Sequence, residues 1–493
     1  MHYIGYDIGS SSIKAALINA ENNKTLGIVN YPDQEMPIHS PKEDWAEQDP
    51  ETWWYNVIAA TKLLISKTGI DLIDIKGIGI SYQMHGLVLV DKNQQVLRPS
   101  IIWCDSRAIE SGHNLLDSIG ADRAYERLLN APGNFTAAKL KWVKNHEPDI
   151  FEKIHKVMLP GDFIAMKMTG DFTTTISGLS EGIFWDFKEG SLSGDILSCL
   201  EISDELFGHL VPTFSDQGQL CQKAAKELSL PVGIKLGYRA GDQPNNALAL
   251  GVLQNGEIAA TGGTSGVIYT VSDKIIGDAN ERVNSFAHVN HTNSTTSIGV
   301  LLCINGAGSQ YRWIKDMIAE ADVNYHQMEK LSSAVSIGSE GLRIIPFGNG
   351  AERMLRNRNT GGQINNIQFN RHNKAHIFRA TLEGISFSFF YGMELLREMG
   401  LKIDYMKVGN DNLFQSQIFS ETLSTLAGTT IEMINTTGAV GAARGAAFGL
   451  GHFNTLQEAV QQQEVVKTYL PNKNADEFKA VYEHWKTYLK DFN

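Results

Sequence analysis

Cysteine is scarce in this chain: Cys104, Cys199, Cys221 and Cys303 are the four in 493 residues, far apart and without a C-x-x-C pair. No histidine cluster accompanies them, which argues against a disulfide framework and a structural zinc site. Reduced, half-buried thiols in a cytoplasmic protein are expected. No apolar run is long enough to span a bilayer. The opening "HYIGYDIG" is strand-like, with neither a basic nor an apolar leader region, so no signal peptide is expected. Positive charge is in deficit, with 43 Lys and Arg against 55 Asp and Glu and a net charge of −12. Nucleic acid and anionic membranes need a basic face, so neither is an expected partner, and no basic helix-turn-helix pattern stands out. ATP is not excluded, because backbone N–H groups, one cation and Mg²⁺ bind it locally. Low-complexity linkers and short tandem repeats are also missing. What remains is 42% hydrophobic and 20% charged, an ordinary globular composition in a chain too long for one core.

Strands and helices alternate from the start. "HYIGYDI" and "IKAALIN" flank "GSSS" and predict a hairpin. "PETWWYNVIAATKLLISKTG" has apolar residues at helical spacing, with Pro50 at its start and Gly69 past its end. "IKGIGISYQM" and "HGLVLVD" read as strands meeting near His85. Helical patterns dominate from Ala108 to about Lys167. Residues 186–217 read as irregular, and "VGIKLGYRAGD" as a strand and loop into a helix. A second alternating half begins near Gly256. It holds a hairpin at Gly263, a long helix in "HNKAHIFRATLEGISFSFFYGMELLREM" and a Gly/Ala-rich helix in "GAVGAARGAAFGLG" able to pack closely. The last ~30 residues read as polar, helical and peripheral.

"DIGSSSIK" near residue 10 is echoed by "GGTSGVIY" near residue 264. A strand-turn-strand repeated at the head of each half predicts an α/β protein. Two ribonuclease H-like (actin-like ATPase) domains, 1–250 and 251–493, would flank a catalytic cleft, with the break near 247–256.

The two hairpins suit phosphate. Gly9 permits a tight turn whose backbone N–H groups can form an anion nest, Ser10, Ser11 and Ser12 add hydroxyls, and Lys14 adds charge. Asp7 at the strand end can hold Mg²⁺ through water, since a hard cation takes oxygen ligands. Gly263, Thr264 and Ser265 follow the same logic. An ordinary polar hairpin is the plain alternative for each, but the joint occurrence favours phosphate. Between them, Asp242 in "GYRAGDQPNNALALG" sits where a helix opens, and the dipole there favours its ionised form. It is the candidate general base of phosphoryl transfer to an alcohol, where a carboxylate of ordinary pKa suffices; an N-capping role is compatible. Met84 and His85 in "QMHG" can contact a sugar's carbon face and a hydroxyl, though a lone His is often a structural donor. In "WCDSR", Trp103 reads as core or pocket wall, and Asp105 with Arg107 as a surface ion pair. In "VGNDNLFQSQIF", Gly409 would allow close approach of a nucleotide, while Asn410, Asp411 and Asn412 equally suit a plain turn.

These residues resemble the FGGY carbohydrate kinases over positions 3 to 485. One family signature resembles "NFTAAKLKWVKNH", with Lys139 and Trp142 in place and Asn134 departing from the usual small or aromatic residue. Another resembles "GQINNIQFNRHNKAHIFRATLE", matching from His376 to Glu383, with Asn366 replacing a usual Gly. "QMHGLVLVD", "LRPSIIWCDSR" and "PGNFTA" are similar to strings of the family's xylulokinase members. The resemblance implies Asp242 as catalytic base and Asp7 as the acid important for Mg²⁺ and activity. Asp7 and Asp242 are thus the expected metal carboxylates. It implies Met84 and His85 as substrate contacts, with Trp103 and Asp242 beside them. Gly9, Ser10, Ser11, Lys14, Gly263, Thr264 and Ser265 would hold ATP phosphates, with Gly409 and Asn412 near adenosine. Where the family reads Gly-Asp-Asn, this chain reads Gly-Asp-Gln-Pro-Asn-Asn, so Gln243 or Asn245 takes the sugar contact. The expected reaction is MgATP-dependent phosphorylation of D-xylulose; the sequence does not fix the oligomeric state and leaves a homodimer open. A kinase for ribulose, gluconate or glycerol, an actin-like ATPase clamp and a sugar-responsive regulator are the alternatives.

Overall fold

The computed structural model describes residues 1–410, 412–461 and 463–489. Its frame is two sheets of one topology. In the first, β1 (His2–Ile8), β2 (Ile13–Asn19) and β3 (Lys24–Tyr31) form an antiparallel meander. β4 (Ile75–Tyr82) pairs parallel to β1, and β5 (Lys235–Gly241) parallel to β4, giving the order β5-β4-β1-β2-β3. The second sheet contains β6 (Glu257–Gly262), β7 (Gly266–Ser272), β8 (Asn284–Ala287), β9 (Ile298–Ile304), β10 (Tyr405–Gly409), β11 (Ile431–Ile434) and β12 (Val465–Tyr469). Its order is β8-β9-β7-β6-β10-β11-β12. The inner run β9-β7-β6-β10-β11 repeats the first sheet's order and strand directions. These are the two ribonuclease H-like domains that the echo predicts. Each echoed motif is the hairpin between the first and second strands of its sheet.

Parallel strands need crossovers, and helices supply them. α1 (Pro50–Thr68) leads from β3 toward β4; the Asp49 side chain caps its first turn, and Gly69 closes it at φ 61°. Between β4 and β5 lie α2 (Thr136–His146) and α3 (Ile176–Glu181). α4 (Asp242–Ala249) begins where β5 stops, with no intervening loop. In the second half come α5 (Gly308–Ile318), α6 (Lys374–Glu398), α7 (Gln417–Ala427), α8 (Gly438–Gly449) and α9 (Ala475–Thr487).

α8 crosses back to the first sheet. Hypothetical Cβ atoms on Gly5, Gly79 and Gly237, from β1, β4 and β5, would fall 1.9, 2.0 and 2.6 Å from the carbonyl oxygens of Ala439, Ala442 and Ala446. The Gly/Ala composition thus lets a helix backbone lie directly on a sheet backbone.

α6 carries the second signature, with Asn373 as its N-cap and nearly every residue from Phe378 to Met393 buried. Its Glu383 accepts hydrogen bonds from the Gly338 amide (3.0 Å) and the Ser339 hydroxyl (3.2 Å) and pairs with Arg379 at 2.7 Å. This signature builds a helix-to-loop lock. Asn366, the departure within that signature, sits at φ 60°, a conformation that Asn tolerates better than most side chains.

Two expectations change. Residues 186–217 contain a helix, Gly194–Leu200, capped by Ser193. The final segment is not an appendage: β12 extends the second sheet, and Tyr482 and Trp485 of α9 are fully buried, the Trp485 indole donating to the Ile344 carbonyl at 2.8 Å. An aromatic face every three or four residues in "FKAVYEHW" outweighs the segment's polar average.

Candidate functional site

The cleft chemistry starts at the ends of β1 and β5. Asp7 lies in register with Lys14 on β2, so both side chains leave the same face. The Ser81 hydroxyl donates to Asp7 Oδ1 at 2.8 Å. Gly438, at the start of α8, lies so close that a Cβ there would meet Asp7 Oδ2 at 2.6 Å. Asp242 is the first residue of α4 and Gly241 its N-cap; Asp242 is not the capping residue. Its carboxyl is pushed up to about 7, by burial first and the nearby Asp7 charge second, with hydrogen bonds from Gln243 pulling the other way. The expected ordinary carboxylate, ionised by the helix dipole, is therefore corrected: desolvation and a like charge outweigh the N-terminus.

The two amides left open by the sequence have different settings. Asn245 is fully buried and donates to the Gly438 carbonyl at 2.9 Å, tying α4 to α8. Gln243 is half-buried beside Asp242, and its Oε1 has no hydrogen-bond partner.

Met84 is buried against Gly241, whose hypothetical Cβ would meet Met84 Cγ at 2.6 Å. His85 follows in the left-handed region at φ 62°. Its amide donates to Glu181 Oε2 at 3.0 Å, and its Nδ1 faces the Glu181 carbonyl oxygen at 3.0 Å. A carbonyl only accepts, so Nδ1 carries the proton and Nε2 is left as an acceptor. Burial and then Lys139 push His85 down to about 3, while burial holds Glu181 well above the usual carboxylate range. The imidazole in this contact is therefore neutral at neutral pH. Phe135 and Phe286 pack on the imidazole, with ring centroids at 4.7 and 5.4 Å; Phe286 belongs to β8 of the second half.

Lys139 is fully buried and donates to the carbonyls of His85 (2.8 Å) and Ile102 (3.0 Å), with its own pKa pushed down to about 7 by burial. It pins the turn that presents His85. The sequence places Lys139 only as a motif member and gives no sign of Glu181, whose part follows from the packing of α3.

Trp103 is 55% exposed, its indole donating to Ser10 Oγ at 3.3 Å. It is a wall beside the first hairpin, not core. The ion pair that follows it is not a surface pair. Asp105 is fully buried, and Arg107 donates to both its oxygens at 2.6–3.0 Å, reaches Glu47 at 2.6 Å and lies 3.6 Å from the Trp45 ring centre. Asn134, the departure in the first signature, donates to the Asp105 carbonyl.

The first hairpin turns through residues 9–12, closed by the Gly9 amide on the Ser12 carbonyl at 3.1 Å. The Ser10 and Ser11 carbonyls accept from the Gln48 side chain and the Met36 amide, each at 2.7 Å. Among the described residues the Ser10 and Ser11 amides have no hydrogen-bond partner, which leaves them as anion donors. Lys14 is exposed. The second hairpin turns through residues 263–265; its Gly263 and Thr264 carbonyls accept from the Gly308 and Ser309 amides at 3.0 Å each.

Gly263, Thr264, Gly308, Tyr311, Asn412 and Ser416 help line a cavity of about 460 Å³. The Tyr311 hydroxyl is buried without a partner. Ser265 and Gly409 do not line this cavity, and Asp411 lies outside the described residues. Of the expected adenosine contacts, the structure brings only Asn412 to the second hairpin.

Asp7 and Asp242 suit a divalent cation. Two carboxylates whose mutual repulsion raises one of them would be relieved by positive charge. Among the described residues no group of three metal-ligating side chains occurs. Mg²⁺ keeps waters and takes phosphate oxygens beside one or two carboxylates, so two protein carboxylates are a sufficient share.

Residues 2–249 match the FGGY family of carbohydrate kinases, N-terminal domain. The chain is 31% identical to the xylulose kinase of Bacillus subtilis, over 100% of its own length and 98% of that relative's. The crystal structure of xylulose kinase from Rhodospirillum rubrum superposes with a TM-score of 0.89 at 24% identity, covering 100% of this chain and 99% of that one. Gluconate kinase from Lactobacillus acidophilus gives 0.87 at 22% identity, covering 99% and 98%. The second likeness is to a kinase named for a different substrate, so the shared fold leaves the sugar open.

Proposed function

We propose that this chain, a member of the FGGY family of carbohydrate kinases, transfers the γ-phosphoryl group of ATP to the terminal hydroxyl of D-xylulose, giving D-xylulose 5-phosphate and ADP. The observation that carries this reading is the join of β5 and α4, where Asp242 stands beside Asp7 and against the Met84 turn. The full-length identity with a xylulose kinase supports the choice of sugar.

In this mechanism Asp242 orients the hydroxyl and accepts its proton late, as a loose transition state requires. A carboxyl near 7 is better matched to that work at neutral pH than an ordinary one. His85 Nε2 accepts a hydrogen bond from a second sugar hydroxyl, Met84 covers carbon, and the Gln243 amide sits nearest the base. The unpartnered amides of Ser10 and Ser11, with Lys14, hold phosphate from one side. Gly263 and Thr264 hold it from the other, with Asn412 toward the nucleoside. Asp7 and Asp242 would hold Mg²⁺, which neutralises charge on the transferring group. Residues 1–250 form the sugar half and 251–493 the nucleotide half in this reading, and closure of the cleft limits ATP hydrolysis by water.

The test is ADP release with MgATP and one acceptor at a time: D-xylulose, D-ribulose, L-ribulose, gluconate, glycerol and none. D-xylulose is expected to stimulate turnover most. Preference for another polyol would move the Met84–His85 pocket to that substrate, and no stimulation by any would end the kinase reading. The pH profile adds a second check. The base works only when ionised, so kcat/KM for MgATP, which reports the enzyme before Mg²⁺ arrives, is expected to fall about tenfold per unit as pH drops below the Asp242 value of about 7 and to level off above it, whereas Mg²⁺ held by Asp242 would move the fall in kcat to lower pH. A flat profile from about pH 5.5 to 8 would remove Asp242 as the titrating base.

A further inference from the structure

Glu352 is fully buried, and its carboxylate accepts the Asn305 amide at 3.0 and 3.1 Å and the Gly306 amide at 3.1 Å. Among the described residues it forms no ion pair. A buried carboxylate without a cation is costly, and burial pushes this one up to about 7 while the amides pull it back. A carboxylate can hold both amides at once, which a single side-chain amide oxygen does less well.

What it holds is the link from β9 to α5. Gly306 has no freedom there: a Cβ would fall 1.6 Å from the Pro346 carbonyl oxygen. Two residues on, the Gly308 and Ser309 amides of α5 bind the Gly263 and Thr264 carbonyls. Gly263, Thr264 and Gly308 all line the cavity of about 460 Å³, on the side that the kinase reading gives to the nucleotide. The chain of contacts therefore runs from Glu352 through two amides to the start of α5, and from there to the second hairpin.

We propose that Glu352 is a positioning residue for the nucleotide site, fixing the approach of the α5 N-terminus to the Gly263–Thr264 turn so that both meet the phosphates of a nucleotide; this rests on the kinase reading above. Glu352 does not itself line that cavity. Its removal bears first on the nucleotide site: Asp242 and Met84 are set by β5 and the Gly241 contact, and His85 by Glu181 and Lys139, with Phe286 of β8 packing on it from the second half.

The test is equilibrium binding of MgADP and of D-xylulose, measured separately on the wild-type full chain and on Glu352→Ala and Glu352→Gln, with thermal unfolding of each. In Glu352→Ala the Kd for MgADP is expected to rise about tenfold or more, the loss of hydrogen bonds to a charged acceptor. The Kd for D-xylulose should stay within about twofold. Glu352→Gln keeps one acceptor oxygen and should fall between. An unchanged MgADP affinity in a folded variant overturns the proposal, and so does an equal loss of both ligands. Should Glu352→Ala not fold, Glu352→Gln is judged by the same two criteria. Wild-type protein that binds no MgADP would instead overturn the kinase reading.

Discussion

Asp242→Asn is expected to lower sugar-dependent ADP release by about 10³-fold or more, because the hydroxyl loses both its proton acceptor and its anchor. The same substitution should make the protein more stable at neutral to alkaline pH. The folded-state pKa is raised to about 7 from 3.8, so between those values the folded chain holds a proton that the unfolded chain has released. Stability therefore falls as pH rises through that window, and the ionised carboxylate strains the fold above it. Asn carries no such charge. The gain at pH 8 is about 2 kcal/mol, allowing for the cleft's solvent access, and it should shrink toward nothing at about pH 4. Kinetics at saturating D-xylulose and thermal unfolding at both pH values, without added Mg²⁺, read the two effects. Full activity in the variant would remove the base; lower stability at pH 8 would mean that the carboxylate is held by partners rather than stranded.

Gly79→Ala should cost more than about 4 kcal/mol, or prevent folding, although it adds one methyl group. That methyl would sit 2.0 Å from the Ala442 carbonyl oxygen and 3.1 Å from Ala446 Cβ. Both obstacles belong to the helix α8, and Gly79 is in a central strand between β1 and β5, so neither side can swing away as a flexible side chain would. Activity should go with stability, since the start of α8 rests against Asp7. Gly69→Ala is the comparison. Gly69 has a positive φ of 61° but nothing within 4 Å of its Cβ position, so its cost should be only about 1 kcal/mol, the price of a left-handed Ala. Denaturant unfolding of the two variants decides the matter, and equal losses would show that backbone contact between α8 and the sheet is not what limits this site.

Much of this was open to a reader of the sequence alone. The two Gly-Ser/Thr turns are encoded locally, because a tight turn between apolar strands needs those residues at those positions, and the repeat of the turn revealed the repeat of the domain. Asp242 was visible for a similar reason: a carboxylate at a strand-to-helix joint is a short-range pattern. The Gly/Ala run announced a close packing. It could not say against what, since a helix carries its small residues in sequence but meets its partner only in space; here the partner is the sheet of the other half. Distance in space also decided the charge states. Asp242 next to Asp7, His85 over Glu181 and Lys139 under the His85 turn join residues from remote segments, and burial sets their protonation. Asp105 and Arg107 make the point most directly. Two positions apart in the chain, they read as an exposed pair, yet Trp45 and Glu47 close over them. The sequence by itself determined the turns, the repeated α/β pattern and the acid at the helix start, because each is a local pattern. Only the tertiary structure decided which groups are desolvated, which amide ties α4 to α8 and which one donates to the base, because desolvation and contact depend on what the rest of the chain brings near.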